Sequence, residues 1–250
     1  MSLELNKTPA FRWYKSNLYP IEDIDWIKED DLLFLEEQKS IIDANIKMLI
    51  ENKPHLNMLL WGEKGSGKSS LLKLFLGKYF SEGLRIVEFG STNLSDVHIL
   101  YQVIRKENRL KFILYFDDIS FDKDDHNYRQ FKSILEGGIE NPPFNCMYAL
   151  SSNKRHIIKD TAQDTTDLYS RDEINEQISL YSRFGLVIGF YPITKENYLA
   201  VAEHYMKKYG ITTDKEWIQE AENFAIEKGG RSCRIAKQFA IFQLIKQNIL

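Results

Sequence analysis

Cysteine is scarce in these 250 residues: Cys146 and Cys233 lie far apart and match no metal or disulfide spacing. A disulfide-stapled scaffold is excluded, and a reducing cytoplasm is the expected setting. The five histidines form no HExxH or similar cluster, so metalloprotease chemistry has no sequence support. An excess of one charge is missing too. The 33 lysines and arginines stand against 36 aspartates and glutamates, for a formal net charge of -3, so the totals demand neither nucleic acid nor an anionic membrane as partner. Local basic patches stay open. No apolar run approaches the roughly 18 residues that cross a bilayer, and the opening MSLELNKTPAFRWY holds no signal-peptide core. The expected chain is cytoplasmic, with no membrane partner. Internal repeats and low-complexity tracts are absent as well.

What is present, at 43% hydrophobic, is enough apolar chain for one sizeable core and a small attached domain. Residues 1 to about 30 mix Trp13, Tyr14, Pro20 and Trp26 with no clean period, which predicts an extension strapped across a domain surface. From Asp31 a helix is expected, with Ile42, Ile46, Leu49 and Ile50 on one face and Pro54 as its stop. Short apolar runs then recur as MLLW, LRIVEF, KFILYF, CMYAL and LVIGF, with helical patterns between most of them, such as Tyr128, Phe131 and Leu135 before Gly137-Gly138. Continuous apolar strands alternating with helices imply a parallel sheet covered on both faces, and hence an α/β class. After Pro192 the strands stop and three helical segments follow. The second is expected to open with a capping box, Thr213-x-x-Glu216, and to close at Gly229-Gly230; the third starts near Ser232 and carries Ile235, Phe239 and Phe242 on one side. The polar stretch from Lys159 to Asn175 is the candidate mobile loop.

Gly62-x-x-x-x-Gly67-Lys68-Ser69 fits the P-loop pattern, after a strand and at the start of a helix. Glycines 62, 65 and 67 let backbone N–H groups turn inward around a phosphate, and the helix N-terminus adds positive potential. In this pattern Lys68 reaches the β and γ oxygens, and Ser69 ligates Mg²⁺. The bare pattern arises by chance in roughly one chain of this length in a hundred, and the strand and helix around it lower that further. The candidate nucleotide contacts run from Gly62 through Glu63, Lys64, Gly65, Ser66, Gly67, Lys68 and Ser69 to Ser70. A second metal-binding carboxylate is supplied where FILYFDD ends in Asp117-Asp118. This is the Walker B arrangement: Asp117 orients the Mg²⁺ shell, and Asp118 can polarise an attacking water.

With both motifs placed, the chain resembles the AAA+ ATPases, and within them an uncharacterised bacterial branch known as a domain of unknown function. The resemblance runs through FRWY, LLWGEKGSGKSSLLK, FILYFDDISF, YRQFKSILEGGIENPPFN, SSNKRH, ISLYSRFGL, GFYPITKENYLA and GRSCRIAKQF. It implies a P-loop NTPase core of three αβα layers over residues 1–192, with a five-stranded parallel sheet of order 5-1-4-3-2, and a helical lid over 193–250. ATP with Mg²⁺ would lie between them, in a homo-oligomer with nucleotide at subunit interfaces. Three residues join the site by the same resemblance. Asn153 stands where these proteins place sensor 1, which holds the lytic water. Arg183 in SRFG matches the arginine finger, which reaches the neighbouring subunit's nucleotide. Arg234 in GRSCR matches sensor 2, a lid arginine that closes on the phosphates, with Arg231 as the alternative.

Two departures qualify the resemblance. Asp118 stands where the family at large has Glu, one methylene longer, so hydrolysis is expected to be slow or its water differently placed. An aromatic-hydrophobic-glycine pore loop is missing: the nearest match, EFG at residues 88–90, closes a strand, so polypeptide threading is unsupported. The acidic run Asp122, Asp124, Asp125 reads as a helix N-terminus rather than a second metal site. Lys154-Arg155-His156 reads as a solvated edge, and nucleic acid as a partner is left without support. Three functions compete: an ATPase whose hydrolysis drives a conformational change acting on an unknown macromolecule, with an unknown protein target as the expected partner; a slow nucleotide-gated binding module; and a small-molecule P-loop kinase. The helices appended after the last strand and SRFG argue against the kinase.

Overall fold

The computed structural model describes residues 5–90, 96–119, 131, 134–135, 140–153, 182–212 and 216–249. The chain opens with β1 (Ala10–Tyr14) and β2 (Asn17–Pro20), then a 3-10 turn (Glu29–Asp31) and α1 (Glu36–Ile50). Next come β3 (Met58–Gly62), α2 (Lys68–Tyr79), β4 (Leu84–Phe89), α3 (Val97–Lys106), β5 (Lys111–Phe116), β6 (Cys146–Ser152) and β7 (Leu186–Phe190). Three helices close it: α4 (Lys195–Lys208), α5 (Trp217–Glu227) and α6 (Cys233–Ile249).

The strands form one sheet in the order β2-β1-β4-β5-β6-β3-β7, parallel except for the antiparallel pair β1–β2. Within it the five apolar runs lie as β7-β3-β6-β5-β4. Their continuous apolar character has a direct cause: Leu59 and Leu114 face a core cluster on one side of the sheet, while Met58, Leu60 and Ile113 face a second cluster on the other.

The expected count of five strands is corrected to seven among the described residues, because residues 10–20 are not a surface strap. Phe11 and Trp13 are buried on one face while Arg12 and Tyr14 point outward, which is the period of a strand, and β1 pairs in parallel with β4. The turn to β2 is made by Lys15 and Ser16, with φ of 46° and 57°. Left-handed backbone costs a non-glycine residue about 1–2 kcal/mol, whereas burying Phe or Trp contributes roughly 1.5–3 kcal/mol each, so burial of Phe11 and Trp13 holds the hairpin in place. The Ser16 hydroxyl donates to Asp96 Oδ2 at 2.6 Å and ties the turn to the start of α3.

Two helix starts are corrected as well. The first does not begin at Asp31, which ends the 3-10 turn; Phe34 at φ 62° interrupts the chain, and α1 starts at Glu36. The capping box at α5 is not formed as expected, since Glu216 is itself the N-cap and makes no side-chain cap hydrogen bond, while Thr213 lies outside the described residues. Ser232 does cap α6, with its Oγ accepting from Ile235 N–H at 3.2 Å. Helices α4 to α6 enclose a third cluster built on Tyr198, Val201, Met206 and Phe239. Phe131 and Leu135 are buried against the sheet. Tyr128, Gly137-Gly138, Asp122, Asp124, Asp125, Lys154-Arg155-His156 and the stretch 159–175 lie outside the described residues.

Candidate nucleotide site

Three glycines give the loop between β3 and α2 its path. Gly62, Gly65 and Gly67 have φ of 143°, 78° and 104°, conformations that side chains rarely adopt. Space agrees with conformation at the first of them: a Cβ on Gly62 would stand 2.0 Å from the Phe190 carbonyl oxygen of β7. Gly67 is the N-cap of α2 and, lacking a side chain, leaves the first-turn N–H groups without a side-chain acceptor. Within the loop the Ser66 hydroxyl is buried and has no hydrogen-bond partner among the described residues. The Lys68 ammonium folds back onto the loop, donating to the carbonyls of Gly62 and, at 2.8 Å, Glu63. Burial lowers its pKa, and Asp118 and Asp117 act the other way. A glycine-built loop at a helix N-terminus, a buried hydroxyl and a lysine ammonium beside it fit a polyphosphate.

Both carboxylates arrive from the end of β5, and Ser151 and Asn153 meet them from the end of the adjacent β6. Asp117 Oδ1 accepts from Tyr115 at 2.6 Å, from Ser151 at 2.6 Å and from Ser69 at 3.2 Å. Three hydroxyls thus hold one oxygen. Among the described residues no group of three or more His, Cys, Asp or Glu could hold a metal ion unaided. Ser69 and Asp117, 3.2 Å apart beside the glycine loop, supply two oxygens that fit Mg²⁺ with phosphate oxygens and water as its other ligands. Asp118 has φ 50°, and its N–H donates to Ser151 Oγ at 2.8 Å. Its carboxylate accepts from Asn153 Nδ2 and lies 3.4 Å from Lys64 Nζ, while Asn153 Oδ1 stands 3.5 Å from Lys68 Nζ.

The remaining wall comes from the two ends of the chain. A cleft of about 530 Å³ runs from the loop, Asp117, Asp118 and Asn153 to Asp25, Ile27, Asp31 and Leu32 on one side and Tyr205, Cys233, Arg234 and Lys237 on the other. Arg234 sits in the first turn of α6, and its Cβ is 2.8 Å from the place of a Cβ on Gly65. Arg231 is engaged elsewhere: it pairs in bidentate fashion with Glu222 at 3.0 and 2.6 Å, which holds that carboxyl below its usual range.

Of the residues named from sequence, the structure brings together Lys64, Gly65, Ser66, Gly67, Lys68, Ser69, Ser70, Asp117, Asp118, Asn153 and Arg234 in this cleft. Gly62 and Glu63 contribute carbonyls to Lys68 from behind. Arg183 stands apart, exposed in the turn before β7. Sequence reasoning missed Tyr115, Ser151, Asp31 and Tyr205. Tyr115 was within reach, since it lies two residues before Asp117 on the same strand face. Asp31 and Tyr205 are joined to the site only by tertiary folding.

A family model described as "Protein of unknown function (DUF815)" matches residues 6–246. No curated protein matches the sequence. Among solved structures, the Thermotoga maritima RuvB Holliday junction branch migration motor superposes with a TM-score of 0.52 at 13% identity, over 86% of this chain and 61% of that one. This chain thus spans about three-fifths of the RuvB chain's length. A chain of the E. coli MS115-1 HORMA:CdnC:Trip13 complex superposes with a TM-score of 0.53 at 12% identity, over 84% of this chain and 88% of that one. At such identities the likeness is one of fold alone.

Proposed function

We propose that this chain, which belongs to the family described as protein of unknown function DUF815, is an Mg²⁺-dependent ATPase of AAA+ type that couples hydrolysis to a conformational change acting on a protein target. One observation carries the reading: Lys68, Ser69, Asp117, Asp118 and Asn153 converge on one cleft from the ends of three adjacent strands.

In this reading the loop N–H groups and Lys68 bind the β- and γ-phosphates, with Lys68 exchanging the carbonyls of Gly62 and Glu63 for phosphate oxygens. Ser69 and Asp117 hold Mg²⁺, which when bound neutralises charge on those oxygens. Tyr115 and Ser151 fix the Asp117 carboxylate. Asp118 and Asn153, already hydrogen-bonded to each other, orient the attacking water, and Asp118 accepts its proton as ATP and water become ADP and phosphate. Arg234 reaches the phosphates from α6, and its freedom from the Glu222 pair favours it over Arg231. Helices α4 to α6, residues 193–250, act as the lid on a core of residues 1–192. Arg183, away from the cleft of its own chain, serves the cleft of a neighbouring subunit in a homo-oligomer. A cytoplasmic setting fits the two free cysteines, and among the described residues no helix is long and apolar enough to cross a membrane.

A second reading, a slow nucleotide-gated switch, is favoured by Asp118, whose carboxylate is short and engaged by both Asn153 and Lys64. Phosphate release from ATP with no acceptor present separates the two. Sustained multiple turnover supports the ATPase, a single slow turnover supports the switch, and no nucleotide binding at all overturns both.

A further inference from the structure

The segment from Asp31 to Leu35 packs toward both walls of the cleft through Asp31, Leu32, Leu33 and Leu35. Leu32 and Leu35 are buried in the core cluster beneath α1 and α2. Leu35 Cδ1 lies 2.8 Å, and Leu32 Cδ2 3.9 Å, from where a Cβ on Gly67 would stand, so the last glycine of the loop rests on this turn. Leu33 packs the other way, into the cluster of the C-terminal helices. Asp31 binds the same helices by charge: its carboxylate accepts from Lys208 Nζ and stands 3.4 Å from His204 Nε2, both on α4. Its carbonyl oxygen is 3.4 Å from the Tyr205 hydroxyl. The Asp31 side chain is only 12% exposed. Burial alone would raise its pKa, but the hydrogen bonds from Lys208 and His204 outweigh burial and hold it below the usual value, so the carboxylate stays charged at neutral pH.

Backbone geometry points the same way. Phe34 has φ 62°, an outlier for a bulky residue, and is itself 43% exposed. Such a conformation persists where the residues around it are anchored, and here they are anchored in opposite directions. The turn cannot shift at Leu35 without disturbing Gly67, nor at Asp31 and Leu33 without disturbing α4.

We propose that Asp31 is a positioning residue for the cleft: through Lys208 and His204 it holds α4, and with it Tyr205, against the same turn that braces Gly67 in the phosphate loop. The proposal rests on the reading of the cleft as a nucleotide site. Its consequence is that the grip of the C-terminal helices on a bound nucleotide depends on a charge pair made outside the phosphate contacts.

The test is the dissociation rate of a fluorescent ATP analogue, chased with unlabelled ATP, in the full chain and in a double-mutant cycle of Asp31→Asn and Lys208→Met. Either change should speed release about tenfold, the size of one lost charge-assisted hydrogen bond, and the pair together should be no faster than either alone. Unchanged release in Asp31→Asn, or accelerations that simply multiply, overturns the proposal. Lys208→Met alters only one partly exposed helix side chain and carries the test if Asp31→Asn does not fold. If the unaltered chain fails to bind the analogue, the nucleotide reading is what falls. Hydrogen exchange then decides the positioning role: Asp31→Asn must speed exchange across 201–206 while leaving β5 unchanged, and equal exchange in α4 refutes it.

Discussion

Replacing Tyr115 by Phe removes one hydroxyl and little else, because the ring is buried and keeps its packing. That hydroxyl donates to Asp117 Oδ1 at 2.6 Å and lies 2.9 Å from Ser69 Oγ, so a single proton is shared between two groups expected to hold Mg²⁺. A hydrogen bond to a charged oxygen contributes about 1.5–3 kcal/mol. Ser151 and Ser69 remain on the same oxygen, so no charge is left bare, and the expected loss of unfolding free energy is near the lower end, about 1.5 kcal/mol. Orientation of the carboxylate matters more for binding. Partners of metal-ligating groups typically change affinity about 10- to 100-fold, so the Mg²⁺ concentration that half-supports binding of an ATP analogue should rise about tenfold. Burial, and then the Asp117 charge, push the Tyr115 phenol far above its ordinary 10.0. A raised folded-state pKa contributes stability that is complete below the unfolded value and lost only as pH rises beyond it. The difference between the two proteins should therefore stay flat between about pH 6 and pH 9. Urea unfolding at several pH values and Mg²⁺ titration check both parts. Identical midpoints together with identical Mg²⁺ dependence would refute the role given to Tyr115.

Asp43 joins α1 to α2 through Lys78 at 2.8 Å and the Tyr79 hydroxyl at 2.6 Å, and pairs with Lys47 of its own helix at 2.7 Å. Burial raises its pKa, but those hydrogen bonds outweigh burial and bring it to about 2 from 3.8. Such stability is present above the unfolded value and lost as pH falls through the folded one, so Asp43→Asn should cost about 2 kcal/mol at neutral pH and almost nothing near pH 2, as urea unfolding would show. Asp118→Asn should retain nucleotide binding and cut hydrolysis by about 100-fold or more, since an amide cannot accept the proton; undiminished turnover would place the chemistry elsewhere. Arg183→Ala should bind ATP normally yet hydrolyse poorly. Lys68→Ala should lose tight ATP binding, and mixing the two variants should restore activity at interfaces that join a working pocket to a working finger. No recovery on mixing, with a monomer by light scattering, would remove Arg183 from the chemistry.

The apolar strands were legible because a strand buried on both faces is apolar at nearly every position, and runs such as MLLW and CMYAL satisfy that without help from distant residues. The β1–β2 hairpin was hidden for a local reason. Two-residue hairpin turns usually declare themselves with Asn-Gly or Asp-Gly, whereas here Lys15 and Ser16 take the left-handed conformations, held by Ser16 on Asp96, eighty residues away in sequence. The early start expected for α1 failed similarly. The acidic run Glu29–Asp31 does form a helical turn, but Leu32 and Leu35 are drawn into one core and Leu33 into another, and that division breaks the chain at Phe34. The loop glycines carried their own meaning, while the bond from Asp31 to α4 spans 177 residues and leaves no local pattern.

Asp118 shows how a residue can be noticed for one reason and kept for another. Against the usual Glu, its shorter side chain reads as chemistry, a carboxylate too short to place a water well. In the structure the position also makes a demand on the backbone: φ is 50°, and the N–H is fixed on Ser151 Oγ at 2.8 Å. Asp and Asn enter this left-handed region more readily than Glu, because their short polar side chains can bond to nearby backbone. A glutamate here would lengthen the acid while straining the strand end by about 1 kcal/mol. Asp118→Glu should therefore lower the urea midpoint whether or not it speeds hydrolysis. If stability is unchanged and turnover rises, side-chain length alone limits the rate. If stability falls and turnover does not rise, the aspartate is there for its backbone, and slow hydrolysis follows from the fold of the strand end.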